Sequence, residues 1–202
     1  MTHKFFVTGT DTNVGKTIAS AWLCLKLKAA YWKPIQSGAI EGCDADTVAA
    51  LTQNAGIDVL SSSYVFQAPL SPHLAAALEG AEISFNKLVL PANDSIIVEG
   101  AGGALVPLTH KKLMVDLIQH LNLPTIVVAR TTLGTINHTL LTLEALRVRQ
   151  IQVQGVILNG PENNDNLWAI ETYGNVPVIG HLPILHQITQ QALDKIPLRE
   201  RI

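Results

Sequence analysis

The sequence predicts an α/β domain of the doubly wound type, with one parallel sheet covered by helices on both faces. Three observations carry that expectation. Strand-like and helix-like runs alternate along the chain. The strand-like runs are apolar at successive positions, as strands buried on both faces require. The chain has 202 residues, 48% hydrophobic and 15% charged, a size and composition suited to one domain, residues 1–202, with its own core.

The elements follow in order. Phe5–Thr8 reads as a strand, and Lys16–Ala30 as a helix with Ala19, Leu23 and Leu27 in register. Tyr31–Ile35 is a short strand, and Asp44–Ala55 a helix capped by Asp44. Ser71–Leu78 and Ser84–Leu90 are short helices, each opened by a serine that can cap it. Ser95–Val98 is a buried strand, Leu113–Leu121 a helix, and Thr125–Ala129 a strand bounded by Pro124. Asn137–Arg149 is a helix, Val153–Leu158 a strand, Asn166–Tyr173 a helix and Val176–Ile179 a strand. A helix around Thr189–Asp194 closes the chain. Right-handed crossovers put the C-terminal ends of the strands on one edge, where ligands bind.

Composition excludes several functions. The formal net charge is −2, with no basic excess to neutralise nucleic-acid phosphates and no polybasic run for a membrane surface. The longest apolar runs, such as Leu74–Leu78, are far short of the roughly 20 residues of a membrane helix. No apolar signal segment precedes Phe5, so a cytoplasmic protein is expected. Cys24 and Cys43 make no metal pattern and invite no disulfide.

The sharpest motif follows the first strand: Gly9-Thr10-Asp11-Thr12-Asn13-Val14-Gly15-Lys16-Thr17. Glycines let backbone N–H groups curl around phosphate oxygens, and the helix that follows points its positive end at them. Lys16 would reach the β/γ-phosphates and Thr17 would ligate Mg²⁺, giving a fold of the P-loop NTPase type. Five residues separate Gly9 from Gly15, one more than in the common spacing. The competing reading is a glycine-rich turn with an exposed lysine.

A phosphate loop needs a carboxylate on the far side of the cation. Glu99 ends the strand Ser95–Val98, and Gly100-Ala101-Gly102-Gly103 follows, which would admit substrate atoms close to the backbone. Asp46 fits two readings equally, a site acid or a helix-start acid drawn by the macrodipole. Lys33, in Lys33-Pro34-Ile35-Gln36-Ser37-Gly38, stands at the end of the second strand on the same edge or is a solvated strand-end lysine. No arginine precedes Arg130, so charge on a transferring phosphoryl group falls to Lys16, Lys33, Mg²⁺ and backbone N–H groups.

These segments, with Ser71-Pro72-His73-Leu74-Ala75-Ala76 and Leu133-Gly134-Thr135-Ile136-Asn137-His138, resemble the dethiobiotin synthetase family in content and order, over most of the chain. The resemblance implies an ATP-dependent ligase of biotin biosynthesis that joins 7,8-diaminopelargonate and CO₂. It implies that Lys16 and Lys33 are catalytic, binding the γ-phosphate and a carbamate. Asn13, Val14, Gly15, Lys16, Thr17 and Ile18, with Gly100, Ala101 and Gly102, would contact ATP. Thr17, Asp46 and Glu99 would hold Mg²⁺, and Ser37 would touch the diamine or its carbamate. Asn159 would read adenine, with Gly160, Pro183, Ile184 and Leu185 lining the base. It implies a homodimer in which Gly134, Thr135, Ile136 and Asn137 bind the substrate carboxylate of the neighbouring protomer, a role that a helix N-terminus suits. The alternative is a positioning ATPase of the ParA/MinD kind, although Thr10 and Asp11 stand where that group carries a lysine.

Overall fold

Consecutive residues of a strand face opposite sides of its sheet, so strands that are apolar throughout need cover on both. The computed structural model, which describes residues 2–200, provides it. The elements run β1 (Lys4–Gly9), α1 (Lys16–Leu27), β2 (Ala30–Trp32), β3 (Ile35–Gln36), α2 (Asp44–Thr52), β4 (Val59–Leu60), β5 (Tyr64–Val65), α3 (Pro72–Leu78) and β6 (Ile96–Gly103). They continue as α4 (Met114–Leu121), β7 (Thr125–Arg130), α5 (Thr135–Arg147), β8 (Val153–Asn159), α6 (Asn164–Gly174), β9 (Val178–Leu182) and α7 (Gln190–Lys195). Seven strands form one parallel sheet in the order β4-β2-β6-β1-β7-β8-β9.

Two cores result. Phe6, Val98, Val127 and Leu158 face the side covered by α4, α5 and α6. Their strand neighbours Val7, Ile97, Ile126 and Ile157 face the side covered by α1, α2 and α7. The order places β1 between β6 and β7, so the loop after β1 opens at the centre of the ligand edge, beside Glu99 of β6.

The structure differs from the expected elements where local chemistry intervenes. The expected strand Tyr31–Ile35 breaks at Lys33-Pro34, because proline has no N–H for the ladder. β2 stays in the main sheet, while β3 leaves it and pairs with β5. β4 and β5 are two residues each, too short to show a period, and were not expected. Only Phe85–Lys87 of the expected helix Ser84–Leu90 turns, as a 3-10 segment. Pro91 disfavours helical backbone at Leu90. Neither Ser71 nor Ser84 caps through its side chain; Ser71 Oγ pairs with His73 Nδ1 at 3.0 Å.

Glu99 was expected to end its strand. It lies inside β6 instead, opposite Val7, and the ladder resumes only at Gly9 opposite Gly103. The extra residues of β6 form a bulge that lets it run past the carboxylate, with Gly102 at φ 68°. Gly100 is required by packing, since a Cβ there would lie 2.9 Å from the Phe6 ring.

α1 carries the loop lysine at its first residue, so its depth on the sheet sets the site. Trp22 of α1 is fully buried and its indole Nε1 donates to the Ile196 carbonyl at 3.1 Å. Its ring lies over β9, where a Cβ on Gly180 would sit 2.4 Å from the ring. Gly180→Ala is expected to lower folding stability by about 1–3 kcal/mol, the usual cost of overpacking a filled core. Urea denaturation followed by tryptophan fluorescence measures it.

Candidate active site

The loop between β1 and α1 folds back on itself through three local features. Thr12 N–H donates to Asp11 Oδ1 at 2.7 Å, Val14 buries its side chain in the α1-side core, and Gly15 takes φ 94°. That φ suits glycine, and a Cβ at Gly15 would also strike the Asn159 amide. Lys16 is buried and donates from Nζ to the Asp11 carbonyl at 3.0 Å. Burial pushes its pKa down to about 8; Glu99 opposes this, and the like charge of Lys33 adds to it.

Beside the loop lies a compact polar cluster. Lys33 Nζ stands 2.7 Å from Asp44 Oδ2 and 3.0 Å from Glu99 Oε1. Thr17 Oγ1 lies 2.7 Å from Asp44 Oδ1 and 3.1 Å from Glu99 Oε1. Tyr31 donates from its hydroxyl to the other Glu99 oxygen, Oε2, at 3.0 Å. Burial of Lys33 disfavours its charge, yet Glu99 and Asp44 outweigh burial and hold its pKa above the ordinary value. Burial likewise opposes charge on Asp44, but Lys33 and Thr17 bring its pKa below the usual carboxylate value. Burial, then Glu99, push the Tyr31 phenol well up, so it stays a donor.

Apart from Tyr31, the cluster lines a cleft of about 1020 Å³. Asn13, Gly15, Lys16, Thr17, Ile18, Lys33, Ser37, Glu99, Ala101 and Gly102 of the expected residues line it, while Val14 and Gly100 pack behind. One expected acid stands apart from the others. Asp46 is exposed on α2 and does not line the cleft; Asp44, expected as the cap, is the residue that reaches Thr17 and Lys33. Cys43 holds the cap position, and the Asp44 N–H donates to the Gln36 side chain at 3.1 Å. The Asp44 carboxylate is thereby left free to face the loop.

Asn159 and Gly160 flank the loop from the other side. Asn159 Nδ2 donates to the Val14 carbonyl at 2.9 Å, and Gly160 N–H to the Leu182 carbonyl at 2.9 Å. Pro183, Ile184 and Leu185 follow β9 on the same edge, with Ile184 75% exposed. Gly134, Thr135, Ile136 and Asn137 open α5 outside the cleft, and the Thr135 hydroxyl donates to the Arg130 carbonyl at 2.6 Å. The sequence reading missed two contacts. Tyr31, which the sequence presents only as strand, donates to Glu99 Oε2, and Arg130, the first arginine of the chain, donates to the Thr12 carbonyl at 2.8 Å.

The donors of Thr17, Asp44 and Glu99 are all oxygens, which suits a hard cation that also keeps water and phosphate ligands. No group of three or more His, Cys, Asp or Glu that could hold a metal occurs among the described residues. Together with the loop, the cleft can hold a polyphosphate and a divalent cation against two ammonium groups.

The AAA domain family profile (AAA_26) matches residues 3–192. A protein of Lawsonia intracellularis named ATP-dependent dethiobiotin synthetase BioD is 48% identical over 199 residues, covering 98% of this chain and 97% of that one. The protein of the same name from Paramagnetospirillum magneticum is 49% identical over 193 residues, covering 95% and 93%. Among solved structures, a ParA family ATPase from Chlorobium tepidum TLS superposes with TM-score 0.51 at 15% identity, over 96% of this chain and 89% of that one. The MinC:MinD cell division complex of Aquifex aeolicus gives 0.52 at 12% identity, over 94% and 86%. At such identities these two show the fold alone.

The lowered pKa of Lys16 has a measurable consequence. A bound polyanion favours the ammonium form and raises that pKa. Inorganic tripolyphosphate should therefore bind near pH 9 with uptake of up to about one proton, an uptake that fades toward pH 7, where Lys16 is already charged. Calorimetry in buffers of different ionisation enthalpy reads the proton count.

Proposed function

The chain belongs to the family of ATP-dependent dethiobiotin synthetases, and from that membership we propose that it converts 7,8-diaminopelargonate, CO₂ and ATP into dethiobiotin, ADP and phosphate, within biotin biosynthesis. The observation that best supports this reading is the Lys33 ammonium held between Glu99 and Asp44 beside the Lys16 loop. A phosphate loop alone serves many reactions. A second buried lysine facing the same cleft suits an acidic oxygen that must meet the γ-phosphate.

One neutral amine of the diamine attacks CO₂ and loses a proton, giving a carbamate. A carbamate oxygen attacks the γ-phosphorus, and ADP leaves. The second amine, also neutral, then attacks the carbamoyl carbon of the carbamic-phosphoric anhydride and loses a proton, the C–O bond breaks, and phosphate departs as the cyclic urea closes. Lys16 and Lys33 neutralise charge on the γ-phosphate and carbamate, and the loop N–H groups orient the phosphates. Ser37, on the cleft wall, contacts the diamine or its carbamate. Mg²⁺, when bound, draws charge from the phosphate oxygens. Thr17, Asp44 and Glu99 would hold it, with Asp44 in the place first given to Asp46. Asn159, Gly160 and Pro183–Leu185 form the shelf for adenine.

We further propose that residues 1–202 act as one ligase domain, in a homodimer in the cytoplasm. Leu133 is fully exposed just ahead of α5, and Leu105 and Leu141 flank an open groove of about 280 Å³ that Thr10–Thr12 also line. A second copy covering that groove would bring its own Gly134–Asn137 helix start toward the cleft. Both cysteines are free, and no described helix is long and apolar enough to cross a membrane.

Omitting one component at a time tests the reaction. ATP cleavage should require both bicarbonate and the diamine; cleavage that needs DNA or lipid instead would overturn the ligase. Lys16→Ala and Lys33→Ala should each lose at least about 10²–10³ in rate with the fold retained by circular dichroism. Asp44→Asn should lose a similar factor, whereas Asp46→Asn should stay within about twofold of the parent. Leu141→Glu should sediment as a monomer and lose activity with the interface.

A further inference from the structure

Glu99 is 1% exposed, and both of its oxygens are engaged. Oε1 faces the cleft, where Lys33 and Thr17 approach it at 3.0 and 3.1 Å. Oε2 is held by the Tyr31 hydroxyl at 3.0 Å. Tyr31 is fully buried in the α1-side core, with its backbone paired to Ile97 of β6 and Val59 of β4. Lining the cleft are Lys33, Thr17 and Glu99, but not Tyr31. The terminal torsion of a glutamate is soft and roughly two-fold, so a carboxylate gripped at one oxygen can rotate about that contact. Gripped at both, by Tyr31 at one oxygen and by Thr17 and Lys33 at the other, it cannot.

We propose that Tyr31 is a positioning residue: its hydroxyl holds Oε2 in the core and keeps Oε1 turned toward Thr17 and Asp44, so that the cation slot is set before nucleotide arrives. Tyr31 touches neither nucleotide nor diamine and acts through Glu99 alone. The role rests on the reading of Thr17, Asp44 and Glu99 as the cation-holding set.

The test is Tyr31→Phe, which removes the hydroxyl and keeps the ring. A fluorescent, non-hydrolysable ATP analogue is titrated with MgCl₂ in the absence of diamine, so no turnover is involved. The half-saturating Mg²⁺ concentration should rise about tenfold or more, the usual loss when a group supporting a metal ligand is removed. Affinity for the analogue in EDTA should stay within about twofold. In steady state, excess Mg²⁺ should restore kcat, and the KM for the diamine should not move. A half-saturation within about twofold of the parent overturns the proposal, even if the melting temperature falls, because Tyr31 is then packing only. Tyr31→Met, with its adaptable side chain, takes the same measurement if the phenylalanine variant does not fold. Glu99→Gln is measured in parallel. If it leaves Mg²⁺ half-saturation unmoved, the cation reading itself fails; if it shifts half-saturation while Tyr31→Phe does not, the role of Tyr31 alone fails.

Discussion

The site depends on a buried ammonium that is kept charged. Moving a lysine out of water costs several kcal/mol unless anions repay it at close range. Lys33 has two, at 2.7 and 3.0 Å. Glu99 faces the same problem, and Lys33, Thr17 and Tyr31 answer it together. Each charge is costly without the other, so the cluster is most stable when the end of β2, the middle of β6 and the start of α2 meet. That requirement ties the chemistry to the strand order.

The order β2-β6-β1 is what brings them together. Lys33 follows β2 directly, Glu99 lies across in β6, and the phosphate loop leaves β1 on the other side of Glu99. Two irregularities complete the arrangement. Pro34 stops the ladder after Lys33 and sends the chain to β3, whose Gln36 receives the first N–H of α2. The bulge after Glu99 carries β6 beyond the carboxylate and leaves Ala101 and Gly102 on the cleft wall. Each is a local break in sheet regularity, placed beside the site, where such breaks re-aim side chains.

Much of this was legible in the residues. The loop Gly9–Thr17 and the helix after it were readable because glycine, lysine and threonine at that spacing have one common use. Lys33 and Glu99 were readable as charges offered to the ligand edge, although Glu99 lies inside its strand rather than at its end. Asp44 and Asp46 were not separable. Both lie in the first turn of one helix, and the macrodipole favours an acid at either. Which carboxylate meets Thr17 depends on how α2 is rotated, and that is set by Val48 and Thr52 packing beneath it and by Gln36 at its start. Tyr31 was hidden for a related reason: a tyrosine in an apolar strand reads as core, and only the opposite strand reveals the carboxylate at its hydroxyl.

By itself, the chain determined the quantities that follow from spacing along it. These were the alternation of apolar strands and helices, the doubly wound class, the phosphate loop with its lysine, and the basic and acidic residues offered to one edge. The tertiary structure alone decided which of those residues touch. Glu99 and Lys33 are sixty-six positions apart and Asn159 is far beyond the loop it supports. Contacts at such separations depend on strand order and helix rotation, which are settled by the packing of both cores at once and leave no local mark in the sequence.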